Sequence, residues 1–96
     1  MAKPAEVNNE SEALALIERY IEKDPNKPGR SNVRLKDYGV HVWALVGYGP
    51  AVNDDLEEIA RAYDIPLEAV KAAMLYYERN RGPIDYRLEE MAAAYD

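Results

Sequence analysis

The chain has 96 residues, of which 48% are hydrophobic and 31% charged; it has no cysteine, and its net charge is −6. That describes one globular domain and excludes disulfides, a thiolate nucleophile and cysteine-held zinc. The acidic total argues against nucleic-acid binding by the surface as a whole.

In chain order, residues 1–8 read as a flexible polar terminus. Met1-Ala2-Lys3-Pro4 lacks an apolar signal core, and the longest apolar run, Val42–Val46, cannot span a bilayer. A cytoplasmic protein without a membrane anchor is expected. Asn9 or Ser11 can cap a first helix, and Glu12 stands in capping-box spacing to Asn9. Leu14, Ile17 and Ile21 form its apolar stripe, widened by Leu16 and Tyr20, and the helix is expected to run to about Lys23. Asp24-Pro25 stops it.

Residues 26–32, NKPGRSN, are a turn-rich connector. Val33–Leu35 and Tyr38–Val42 flank a Lys36-Asp37 corner, which leaves room for a short hairpin. His41–Tyr48 fits a helix equally, because Val42, Leu45 and Val46 fall at i, i+3 and i+4. The preferred reading is a short strand at 33–35 followed by a helix at 41–48, ended by Gly47, Gly49 and Pro50. Asn53 or Asp54 is expected to cap the next helix, with Asp54 and Glu57 in capping-box spacing.

Residues 54–80 organise the rest. Leu56, Ile59, Ala60 and Tyr63 mark one helical face, and Leu67, Val70, Ala73, Met74 and Tyr77 mark a second. Only Asp64-Ile65-Pro66 separates them, so the pair reads as a helix-turn-helix. Ala60 is small enough for a close crossing, and Val70 would fold back onto the first helix. The turn calls for positive φ, and Asp64 stands where Gly is usual; Asp tolerates that region better than most residues. An ordinary αα-hairpin in a bundle is the alternative. A last helix, about Ile84–Ala94, would carry Ile84, Leu88, Met91 and Tyr95 on one stripe. The fold class expected is mainly α, a single domain over 9–96 with about five helices and a short β-element near 33–42.

The chemical inventory points away from catalysis. His41 is the single histidine, and nothing beside it supplies a base-and-orienter pair. Ser11 and Ser31 lie in no nucleophile motif. Gly47-Tyr48-Gly49 lacks the rest of a phosphate-binding loop. Asp54, Asp55, Glu57 and Glu58 follow one another around a helix start, so few converge; they suit the helix dipole better than a metal. No catalytic residue, cofactor or metal is expected.

A helix-turn-helix raises the question of DNA. The second helix would present Pro66, Leu67, Glu68, Lys71, Ala72 and Leu75 outward, a face with a single cation, whereas base readout calls for Arg, Lys, Asn or Gln. The cations cluster elsewhere: Lys23, Lys27, Arg30, Arg34 and Lys36 fall within fourteen residues with one acid, Asp24. They could meet phosphates, or neutralise acids within the fold or across a dimer. The DNA-contact candidates are Lys27, Arg30, Arg34, Lys36 and Lys71. Residues 1–50 carry seven bases and seven acids, and residues 51–96 five and eleven, so the whole net charge sits on the second half. Tyr76 and Tyr77 point about 100° apart on a helix and cannot share one core. Leu75, Tyr76, Leu88, Met91 and Tyr95 are the protein-interface candidates.

VRLKDYGVHVWALVGYG followed by DLEEIARAYDIPLEAVKAAMLYYERNRGPID resembles the domain-of-unknown-function family four hundred and thirty-three. The resemblance covers about Val33–Leu88 and is most specific at Val42-Trp43, Ala60 to Tyr63, Val70 to Tyr77 and Ile84-Asp85. It implies a winged or homeodomain-like helix-turn-helix led by a short β-element. It also implies an antitoxin that binds a partner toxin, usually a PIN-like ribonuclease, and represses its own operon. The chain has no threonine where such families often carry Gly-Thr-Arg, and Arg34 stands in for that arginine. The function expected is therefore a non-enzymatic antitoxin. It would bind a basic toxin through its acidic half and operator DNA as a homodimer through its basic segment. The alternative is an oligomerisation or protein-interaction module that binds no DNA.

Overall fold

The first departure from simple periodicity comes where helix α1 (Glu10–Tyr20) ends. The computed structural model describes residues 10–94, so the expected flexible terminus and Tyr95 lie outside the described residues. α1 stops short of Lys23 because Ile21 and Glu22 leave it as strand β1 (Ile21–Glu22), antiparallel to β2 (Arg34–Leu35). Ile21 sits opposite Leu35, and Glu22 opposite Arg34. The exchange is favourable on both faces of the pair. Leu35 is fully buried, Ile21 nearly so, and Arg34 Nε donates to Glu22 Oε2 at 2.7 Å. The open carbonyls at the end of α1 find donors in the same segment. The Lys36 N–H reaches Tyr20 O at 2.8 Å, and Lys36 Nζ reaches Glu18 O at 2.6 Å.

Between the strands lies a 3₁₀ turn, Arg30–Asn32. After β2 the chain doubles back. Asp37 (φ 69°) and Gly39 (φ 73°) adopt left-handed conformations, and the Leu35 N–H donates to Val40 O at 2.7 Å. Arg34 and His41 then form an isolated antiparallel bridge, and helix α2 (Val42–Tyr48) begins. The strand and the helix expected here are thus both present, with a hairpin-like return joining them. The main partner of β2 is nevertheless β1, which periodicity had assigned to the end of the first helix.

α2 runs on into a second 3₁₀ turn, Gly49–Val52. A side chain on buried Gly49 would collide with the Asp54 carboxylate. Asn53 (φ 57°) and Asp54 (φ 59°) are both left-handed, so neither can cap α3 (Leu56–Tyr63), as had been expected of them. Capping needs extended backbone, and Asp55 has it (φ −77°, ψ 108°). Its Oδ1 accepts from the N–H groups of Glu57 at 3.0 Å and Glu58 at 3.3 Å.

Asp64 closes α3 in the left-handed conformation the turn requires (φ 56°, ψ 50°). The Ile65 N–H donates to Ala60 O at 3.0 Å and the Asp64 N–H to Arg61 O at 3.2 Å, a Schellman closure. Pro66 stands at the N-cap position of α4 (Leu67–Arg79) without a side-chain cap bond, and only Asn80 separates α4 from α5 (Arg81–Ala94). Gly82 and Pro83 lie inside the first turn of α5, where a missing N–H costs nothing. The β pair precedes the helix-turn-helix and α5 follows it, so no β-hairpin wing comes after α4 among the described residues.

α4 is the hub. Ala69, Val70, Ala72 and Ala73 are all fully buried, and α1, α2, α3 and α5 all pack against the helix. Ala72 had been placed on the outward face. The run of alanines instead lets neighbouring helices approach closely on both flanks. The core around α4 is completed by Leu35, Val42, Leu45, Ile59 and Ile84. The architecture is mainly α, with five helices and one two-stranded β element. Among the described residues no helix is long and apolar enough to cross a membrane.

Candidate partner-binding surfaces

The burial of α4 leaves a narrow outward arc. Glu68, Lys71, Glu78 and Arg79 are exposed on it, with Leu67, Met74 and Leu75 half-buried. Arg79 is taken up by Glu10 of α1, Nη2 to Oε1 at 2.7 Å, which holds the Glu10 carboxyl below its usual range. Lys71 is therefore the single cation of the arc without an ion pair among the described residues.

The basic segment divides into engaged and free groups. Arg34 is committed to Glu22 and lies 3.9 Å from Asp24 Oδ1. Lys36 is spent on the end of α1. Arg30 reaches Asn80 Oδ1 at 3.4 Å, without a carboxylate partner, and Lys23 and Lys27 are exposed without ion pairs among the described residues. Asp24, which the sequence offered only as a helix stop, is buried and central. His41 Nε2 lies 2.9 Å from its Oδ2, and the Asn26 N–H donates to its Oδ1 at 2.9 Å. These hydrogen bonds, His41 first, outweigh burial and hold the Asp24 carboxyl below its ordinary value, with Arg34 assisting. The His41 ring stacks on Trp43, and Arg87 of α5 covers the other ring at 5.3 Å from its centroid. The cluster ties β1, β2, α2 and α5 together.

Two interface candidates turn inward. The Tyr76 hydroxyl donates to Arg30 O at 2.7 Å, and burial raises its pKa above the ordinary value. Leu88 packs against Gly47 of α2, where an added Cβ would stand 3.0 Å from Leu88 Cδ2. Tyr77 is half-buried as well: its hydroxyl donates to Asp85 Oδ1 at 2.8 Å, which with burial raises its pKa, and Arg81 covers its ring. Both tyrosines thus serve the fold, on different flanks of α4. Leu75 and Met91 remain half-exposed.

Two grooves remain. One, of about 440 Å³, brings together Tyr76 from the interface set and Arg30 from the basic set. Ile17, Ile21, Val33 and the Tyr76 ring form its floor, and Lys23 and Arg30 stand at its rim. No sequence period links these residues. The other, of about 590 Å³, lies where the end of α2 meets α3, α4 and α5. Val46, Leu56 and Met74 supply its apolar part, Asp54 and Glu78 its carboxylates, and Arg81 its cation. It opens onto the acidic face of the helix-turn-helix. From Asp54 to Glu78 there are seven acids and two bases, and all seven acids are exposed. Glu58 is paired with Arg61 and Asp55 is the cap of α3; Asp54, Glu57, Asp64, Glu68 and Glu78 hold no ion pair among the described residues.

No family model, no curated protein and no solved structure matches the chain.

Proposed function

We propose that the chain is a non-enzymatic binding module of the antitoxin kind, whose acidic α3–α4 face receives a basic protein partner. One observation carries the reading. The outward side of the helix-turn-helix combines carboxylates that hold no ion pair among the described residues with a groove of mixed lining, in which Asp54, Glu78 and Arg81 lie beside Val46, Leu56 and Met74. Long-range attraction by the acids would steer a cationic partner, and the groove would supply desolvated contact once docked. A PIN-like ribonuclease with a basic surface is the partner class the family resemblance suggests.

Operator DNA, bound by a homodimer, is the second reading, and the exposed, unpaired Lys23 and Lys27 favour it. Against it stand the engagement of Arg34 and Lys36 and the near-neutral, narrow face of α4, which offers a base pair little beyond Lys71.

Co-expression with the product of the neighbouring reading frame tests the leading reading. The two are expected to co-purify, and Asp54→Asn with Glu78→Gln to slow association severalfold while flattening its salt dependence. Co-purification that is indifferent to both substitutions and to salt would remove the acidic face from the interface. For the DNA reading, gel shifts at low salt with the Lys23→Ala/Lys27→Ala variant are the check; absence of any retention of operator DNA by wild type retires it.

A further inference from the structure

The groove floored by Ile17, Ile21, Val33 and Tyr76 and rimmed by Lys23 and Arg30 is not used by the acidic-face reading just proposed. We infer that it is a second docking site, which takes an acidic peptide segment of a partner protein by seating one apolar side chain on the floor and a neighbouring carboxylate on the rim. Its lining is overwhelmingly apolar, yet Lys23 and Arg30 at its mouth are cations without carboxylate partners among the described residues. Glu22 also borders it, but that carboxylate is already held by Arg34 at 2.7 Å. The net field at the mouth is therefore positive, and the complementary occupant is an anion attached to an apolar group. A carboxylate alone would leave the floor wet, and an apolar side chain alone would leave the cations uncompensated.

The site is built before it is filled. The Tyr76 hydroxyl bonds Arg30 O at 2.7 Å, which fixes the ring wall relative to the turn that carries the rim cation. The β1–β2 pairing fixes Ile21, and Val33 lies just before β2 with 5% exposure. Little side-chain ordering is left to oppose binding. The groove is open along one side, with a volume of about 440 Å³. That shape covers one face of an occupant, as an anchor residue on a protein chain requires, whereas sites for free small molecules enclose most of the ligand.

The probe is a short, end-blocked, fluorescein-labelled peptide of alternating Leu and Glu pairs, followed by anisotropy at two salt concentrations. Wild type is expected to bind it, more weakly at high salt. Lys23→Glu with Arg30→Glu, both at exposed positions, is expected to weaken binding at least tenfold. Ile17→Ser is expected to weaken it by a similar factor at either salt concentration, with thermal melting confirming that each variant is folded. Tyr76→Phe, which frees the turn but keeps the floor, should give an intermediate loss. Absence of binding by wild type, or equal binding by wild type and the charge-reversed variant, overturns the proposal. So does a wild-type dimer in sedimentation equilibrium that the charge reversal abolishes, since the groove then belongs to a second copy. The Asp54 and Glu78 variants touch neither floor nor rim, so failure of the acidic-face reading would leave this result unchanged.

Discussion

The segments 23–36 and 54–78 carry opposite charge in the sequence, and the fold treats them in opposite ways. The basic segment turns much of its charge inward: Arg34 lies on Glu22 and beside Asp24, and Lys36 closes the end of α1. The acidic segment keeps all seven carboxylates exposed, with Asp55 engaged at the cap of α3 and Glu58 with Arg61. Abundance of one sign in a stretch of chain thus says little about how much of it a partner can reach. The β1–β2 register brings Glu22 of β1 against Arg34 of β2. On the α3–α4 face the ion pairs among the described residues are Glu58 with Arg61, inside α3, and Arg79 with Glu10 of α1, which occupies a base of the face rather than an acid, so its field stays outward.

Both regions hang on α4, and the largest effect comes from breaking that support. Val70 is fully buried, and Val70→Asp would leave a carboxylate without a partner at a cost of several kcal/mol. The variant is expected to show no cooperative melt by circular dichroism at room temperature; a midpoint within a few degrees of wild type would contradict the central role of α4.

Leu35→Ala separates the two regions. Leu35 is fully buried beneath the β pair, so its truncation should cost about 2–5 kcal/mol. It should also loosen the register that holds Arg34 on Glu22 while leaving α3–α4 in place. Urea unfolding gives the loss, and amide exchange would show it concentrated in 21–42. Uniform loss of protection across all helices would mean that the two regions do not differ in their support.

Asp55→Ala addresses the acidic segment alone. Removing the acceptor of the Glu57 and Glu58 N–H groups should cost about 1 kcal/mol, whereas Asp54→Asn, which keeps a residue tolerant of the left-handed conformation at a position that does not cap, should fall well below that. Equal losses would reassign the cap.

The final contrast is one of slope with pH. Asp24 titrates below its ordinary value in the folded protein, held there first by His41, then by the Asn26 N–H and Arg34. A depressed carboxyl pKa contributes stability that is complete above the unfolded value, about 3.9, and is lost as pH falls through the folded one. Urea midpoints should therefore drop on acidification below about pH 4, and Asp24→Asn should make that drop shallower. An unchanged acid slope would remove Asp24 from the linkage.

Much of the fold was legible before any coordinates. The 3.6-residue period marked each helix, because burying one side of a helix writes that period into the chain. Asp64 was readable as the left-handed turn residue, since the corner was too short for anything else. The strand expected at 33–35 stands at 34–35, and the helix expected at 41–48 from i, i+3, i+4 spacing stands at 42–48. Tertiary structure decided which of several adequate local solutions was used. Ile21 and Glu22 fit a helix end as well as a strand, and only the approach of Arg34 and Leu35 tipped them. Asn53, Asp54 and Asp55 are all good caps, and the left-handed corner consumed the first two. Ala72 fits an outward or an inward face; the neighbours that pack on α4 buried it. Both grooves and the Asp24–His41 pairing belong to this second group, because they join residues far apart in the chain. A period reports how one helix meets its nearest core, whereas a site is made by the distances between elements, which packing alone sets.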